Sequence, residues 1–158
     1  MNYIGSKHKL SSFIKNTIAN TVGNDLSGLV FCDLFAGTGI VGRTFKPFVK
    51  QVIANDVEFY SFVLNRNYIG NFKKLATQKH IDNLNSLNGV EGFIYQNYSE
   101  NGSEDRLYFS EENGKKIDAI RKQIEIWKNN NEINEDEYYF LLATLIESAD
   151  KVANTASV

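Results

Sequence analysis

Proline is almost absent: Pro47 is the only one in 158 residues. A proline-rich linker or recognition segment is thereby excluded. Cysteine is equally scarce, and Cys32 alone cannot form an internal disulfide. The chain is therefore not a disulfide-stapled secreted domain, and a reducing compartment suits it. No apolar run approaches the ~20 residues that a membrane-spanning helix needs. The first residues lack the long apolar core of a signal peptide. A cytoplasmic protein without a membrane partner is expected. An excess of either charge is missing too, with 17 basic and 19 acidic residues and a net charge of −2. Bulk charge gives no footprint of nucleic acid, so any basic surface must be local. Histidine numbers only two, and His80 has no histidine, cysteine or acid at zinc-ligand spacing, so no metal site is expected. The 42% hydrophobic content is ordinary for a globular chain of about one domain.

One stretch organises what is there: Leu29-Val30-Phe31-Cys32-Asp33-Leu34-Phe35-Ala36-Gly37-Thr38-Gly39. A short apolar run suited to a buried strand leads into two glycines spaced by one residue, then Ile40-Val41. This reads as strand, tight turn, helix. Gly37 and Gly39 can adopt backbone angles closed to other residues and let a ligand approach the main chain. The helix start behind them presents unpaired amides. Gln51 to Asp56 then looks like a second strand with a carboxylate at its tip, where it can accept hydrogen bonds from a ribose diol. The order points to a nucleoside-cofactor site.

Two cofactors compete for it. Gly37-Thr38-Gly39-Ile40-Val41-Gly42 matches the dinucleotide fingerprint in form, which leaves a nicotinamide-dependent oxidoreductase open. Asp33 argues against it, since a carboxylate just before the turn repels a pyrophosphate. The same carboxylate suits the ammonium of a methionine moiety, as in S-adenosylmethionine. Val57, next to Asp56, can pack against an adenine ring or simply join the core.

The N-terminus adds Tyr3-Ile4-Gly5-Ser6-Lys7 ahead of an amphipathic helix marked by Leu10, Phe13, Ile14, Thr17 and Ile18, with Gly23 as its stop. The Tyr3 ring can stack on an adenine or cover a sulfonium. Lys7 near a helix start opposes the helix dipole unless an anion sits there. Taken alone, an exposed lysine and a half-buried tyrosine are the favoured explanation of these residues.

The ordered trio Tyr3-Ile4-Gly5-Ser6-Lys7, Asp33-Leu34-Phe35-Ala36-Gly37-Thr38-Gly39 and Asn55-Asp56 resembles the Dam-like alpha group of adenine-specific DNA methyltransferases. It covers about the first 60 residues well and the rest loosely. The resemblance implies a Rossmann-like, mostly parallel α/β sheet that binds S-adenosylmethionine. By position, Tyr3 and Lys7 would contact the methionine end, Phe35, Ala36, Gly37 and Gly39 would form the floor, and Asp56 would hold the ribose.

Downstream, residues 40–46 read as a short helix and 58–70 as another, with Phe59, Phe62 and Val63 facing inward and Gly70 as a stop. Residues 89–109 are aromatic and rich in turn formers, read as a loop or hairpin packed by its own rings. Alternatively Tyr95, Tyr98 and Arg106 hold a nucleotide or the DNA backbone; in the alpha group this region recognises the target. Ser110 and Asn134 open two further helices, the second with Glu137 placed for a capping box. The expected organisation is a cofactor-binding α/β portion over 1–88 and a loop plus helices over 89–158.

Methylating an exocyclic amine needs an acceptor that stabilises the charge developing there. The family supplies it on an Asp-Pro-Pro-Tyr or Asn-Pro-Pro-Tyr type segment, and this chain has no Pro-Pro. No catalytic residue is assigned in it. The expectation is the cofactor-binding front part of a methyltransferase of double-stranded DNA, with a sheet left incomplete at the C-terminus. The catalytic segment would lie downstream or on a second polypeptide. A cofactor-binding subunit without chemistry of its own is the rival.

Overall fold

The computed structural model describes residues 10–104 and 106–154, so Tyr3 and Lys7 lie outside the described residues. These fall into two compact units that divide between Lys73 and Lys74. The first holds α1 (Ser11–Val22), β1 (Val30–Asp33), α2 (Ile40–Phe45), β2 (Gln51–Ala54) and α3 (Phe59–Tyr68). The second holds α4 (Gln78–Ser86), α5 (Phe93–Tyr98), α6 (Glu111–Asn129) and α7 (Glu135–Val152).

In the first unit β1 and β2 pair in parallel, with Val30 opposite Gln51 and Asp33 opposite Ala54. The α2 crossover between them makes a βαβ unit, the usual way to join parallel neighbours. Alternation sends Phe31 and Val52 to one face and Val30, Cys32 and Ile53 to the other. On the covered face Phe31 stacks on Phe45 of α2, ring centroids 4.2 Å apart, and Leu26, Val41, Ile14 and Ile18 close around them. The other face stays open, Val30 at 52% and Ile53 at 45% exposure. A mixed α/β chain with a parallel sheet is thus observed, but the sheet has two strands among the described residues.

α3 inverts part of the expected pattern. Val63 and Leu64 are buried, whereas Phe59 and Phe62 point outward with their rings stacked on each other. The inward face also carries two polar residues, Ser61 and Asn65. Lys46 closes the C-terminal end of this helix, its Nζ donating to the Tyr68 carbonyl at 3.0 Å and the Asn71 carbonyl at 2.8 Å. Burial, then the nearby Arg43, lowers the Lys46 pKa.

The second unit is helical, as the periodicity of its sequence requires. Ser110 caps α6, its Oγ accepting from the Asn113 amide. Asn134 and Glu137 form the full capping box of α7. Ile124, Trp127, Tyr138, Leu141 and Leu142 form the buried seam. The stretch read as a loop contains α5, held by a carboxylate from elsewhere. Asp118 on α6 accepts from the amides of Ile94 (3.0 Å) and Tyr95 (2.8 Å) at the start of α5. The units divide earlier than residue 88 because α4 packs with the later helices. His80 meets Trp127 edge-on at 4.8 Å between centroids, and Lys116 Nζ donates to the Asn85 and Leu87 carbonyls.

Candidate functional site

The glycine turn sits where β1 and β2 end. Pairing continues one step past the strands: Asn55 N donates to Asp33 O at 2.8 Å, and Ala36 N donates to Asn55 O at 2.9 Å. The Asn55 side chain donates to the Leu34 carbonyl at 3.0 Å. The turn is thus strapped to the tip of the second strand. Gly37 has φ +53° and Gly39 φ +76°, left-handed values that a side chain strains to adopt. Nothing lies within 4 Å of where a Gly37 Cβ would stand, so the main chain is open to a ligand there.

Asp56 closes the turn from below. Its Oδ2 accepts from Gly37 N at 2.8 Å and its Oδ1 from Glu58 N at 3.0 Å. These two amides, Glu58 first, hold the carboxyl below its ordinary value of 3.8. The Ser61 side chain and the Val57 amide lower it further, and the carboxylate stays part-buried rather than enclosed. Asp33, at the end of β1, turns back so that its Oδ1 faces Phe35 N at 3.4 Å. Apolar side chains rim the same strand ends, with Phe35 85% and Val57 95% exposed, while Ala36 is buried beneath the turn.

Crevices beyond the carboxyl ends of parallel strands are where open α/β sheets bind ligands. Residues 33–39 and 55–58 contain three carboxylates and no basic side chain. A pyrophosphate is poorly matched to that set. A ligand with an ammonium, a vicinal diol and a flat apolar ring is well matched.

The structure therefore gathers Asp33, Phe35, Ala36, Gly37, Gly39, Asp56 and Val57 at one set of strand ends, within one compact unit. Sequence reasoning missed Asn65, whose Nδ2 donates to the Gly37 carbonyl at 3.0 Å and to the Ser61 carbonyl at 2.8 Å. The signal was present: Ser61 and Asn65 lie four apart within an otherwise apolar helix face.

In the other unit, Tyr95 is buried and its hydroxyl faces the Asn101 carbonyl at 3.2 Å. Tyr98 and the exposed Arg106 lie together, the guanidinium carbon 5.5 Å from the ring centroid. Tyr98 also meets Tyr108 edge-on and Phe93 at a tilt. Among the described residues no group of three or more histidine, cysteine or acidic side chains could hold a metal ion, and no helix is long and apolar enough to cross a membrane.

Comparison with known proteins agrees with this geometry. The family model for D12 class N6 adenine-specific DNA methyltransferases matches residues 3–158. Type II methyltransferase M.NlaIII of Neisseria lactamica is 64% identical over 159 residues, which is 100% of this chain and 48% of that protein. Type II methyltransferase M.FokI of Planomicrobium okeanokoites is 39% identical over 98% of this chain and 25% of its own length. Type II methyltransferase M.CviAII of Paramecium bursaria Chlorella virus 1 is 38% identical over 99% of this chain and 47% of its own length. The chain thus spans about half or less of the length of these relatives. No solved structure matches it significantly. The nicotinamide-dependent oxidoreductase is ruled out by these matches, and the chain belongs to the D12 class N6 adenine-specific DNA methyltransferase family.

Proposed function

We propose that this chain is the cofactor-binding part of an enzyme that methylates the exocyclic amine of adenine in double-stranded DNA, in a restriction-modification setting. S-adenosylmethionine, the donor that the family implies, supplies when bound a sulfonium methyl group that an amine can take. The observation that supports the reading best is the glycine turn held between two strand-end carboxylates, with no basic residue within 33–39 or 55–58. Asp33 is proposed to receive the ammonium of the methionine moiety, and the part-buried carboxylate of Asp56 the ribose diol. Phe35, Ala36, Gly37 and Gly39 would make the floor. Val57, almost wholly exposed, would lie against the adenine ring. Tyr3 and Lys7 keep their proposed place at the methionine end on sequence grounds alone. Tyr98 and Arg106 are proposed to touch DNA, since Tyr95 is packed inside.

The sheet is proposed to be the first part of a larger, mostly parallel Rossmann-like sheet. Parallel sheets are covered on both faces almost without exception, and here one face carries exposed Val30 and Ile53. The acceptor for the adenine amine is proposed to lie on sequence outside this chain, because no Asp or Asn here precedes a Pro-Pro pair. The test is tritium transfer from labelled S-adenosylmethionine to unmethylated DNA. The isolated chain should bind the donor and transfer nothing, and a polypeptide bearing the Pro-Pro segment should restore transfer in trans. Robust transfer by the chain alone would refute the placement of the acceptor. Donor binding with no transfer in either case would favour the non-catalytic subunit, and no donor binding would refute the whole reading.

A further inference from the structure

Gly37 is flanked by two peptide groups, and a different side chain pins each. Its N–H is held by Asp56 at the tip of β2, and its C=O by the Nδ2 of Asn65 on α3. The residues that fix it lie 19 and 28 positions further along the chain. Glycine loses more conformational freedom on folding than any other residue, and here the most permissive point of the turn is the one clamped on both sides.

Asn65 is 8% exposed, and Ser61, one turn before it, is wholly buried. Both amide hydrogens of Asn65 are used, on Gly37 O and Ser61 O. The opposite amide orientation would set an oxygen against two carbonyl oxygens, so the network itself fixes which end is nitrogen. The remaining Oδ1 is buried without a hydrogen-bond partner. It packs on Gly39: a Cβ there would come within 3.1 Å of Asn65 Cγ and would run into Oδ1. An apolar residue of the same shape would avoid that buried unpaired acceptor, but only by leaving the Gly37 carbonyl without its donor.

We infer that Asn65 is a positioning residue for the cofactor site, holding Gly37 and Gly39 in the one turn geometry the ligand meets. This rests on the reading of the turn as the S-adenosylmethionine floor. Fixing the turn in advance removes the ordering cost that a mobile loop would otherwise subtract from affinity.

The test uses the full 158-residue chain, S-adenosylmethionine as ligand, titration calorimetry, and hydrogen exchange of the Gly37 and Gly39 amides. Asn65→Leu keeps the shape and removes the unpaired oxygen, so it should fold while freeing the Gly37 carbonyl. Its affinity should fall at least tenfold, and both amides should exchange at least tenfold faster. Asn65→Ser, too short to reach Gly37 O, serves if the leucine variant does not fold. Val63→Ala, a cavity on the same helix, should lower the melting temperature and leave affinity within twofold, which separates positioning from general stability. Asn65→Leu with wild-type affinity and wild-type exchange would overturn the inference. So would an equal loss of affinity in Val63→Ala. Faster exchange in a protein whose wild type binds no S-adenosylmethionine would refute the cofactor reading and uphold the clamp.

Discussion

Replacing Asp56 by alanine removes two functions at once, and their sizes can be set apart. The carboxylate accepts from Gly37 N at 2.8 Å and Glu58 N at 3.0 Å. A hydrogen bond to a charged group contributes about 1.5–3 kcal/mol net. The site is only part-buried, so water competes, and a pair of ribose bonds is worth about 2–3 kcal/mol in total rather than twice the upper figure. That corresponds to about a 30- to 150-fold rise in Kd. Loosening of Gly37 adds loss in the same direction. Asp56→Asn should not be milder, because its single carbonyl oxygen leaves an NH2 facing either the Gly37 or the Glu58 amide. Calorimetry with S-adenosylmethionine measures the total, and an analogue lacking the ribose 2′-hydroxyl divides it. Wild type should discriminate against the deoxy analogue, and Asp56→Ala should not. Because its backbone donors hold the Asp56 pKa below 3.8, its contribution should stay whole above that value and fade only as pH drops through the folded pKa. Unchanged affinity in a folded Asp56→Ala protein would refute the placement. Undiminished discrimination in that variant would refute the ribose role specifically.

Other outcomes follow from the second unit. Asp118→Ala strips both amides at the start of α5 of their acceptor and should lower stability by about 2 kcal/mol in a urea melt; a change under 0.5 kcal/mol would show that water replaces the cap. The Tyr138 hydroxyl donates to Glu125, and burial first, then that bond, raises its pKa from 10.0 to about 12. A folded pKa raised above the unfolded one gives stability that is present below pH 10 and lost as pH climbs to about 12. Circular dichroism across that window should show the loss in wild type and not in Tyr138→Phe. Binding of double-stranded DNA should be weak and fall steeply with salt. Arg106→Ala should flatten the salt slope by about one unit if Arg106 meets a phosphate, and an unchanged slope would remove it from the interface.

The readable parts of the sequence were the local ones. Strand, glycine turn, helix and second strand each carry their own signal, as do the caps at Ser110 and Asn134, because the groups that satisfy those backbone amides lie within three residues. The α5 helix was missed because its cap comes from Asp118, 24 positions from Ile94. Phe59 and Phe62 were assigned inward because an apolar stripe normally marks the core, yet the buried face of α3 also takes Ser61 and Asn65. Asn65 was overlooked for the same reason. Its partner on the turn is 28 residues away, and an asparagine on the buried face of a helix gives no hint of which distant backbone group it serves.

Two sets of exposed apolar side chains in the first unit call for different covers. Phe35 and Val57 stand at the strand ends, beside Asp33 and Asp56, where a flat ring attached to a diol would find apolar contact and polar partners together. Val30 and Ile53 stand in mid-strand with Cys32, on the face that Phe31 and Val52 leave open. That second set has no carboxylate or open glycine among it, so it offers a small polar ligand nothing to bond. Its chemistry suits aliphatic side chains, the usual cover of a parallel strand. Burying each such side chain fully is worth about 1.5–3 kcal/mol, enough for a helix to be held there by packing alone. The site and the open face of the sheet are therefore separable. A substitution such as Ile53→Ser leaves the turn, Asp56 and Asn65 untouched, whereas any change at Gly37 acts on all three.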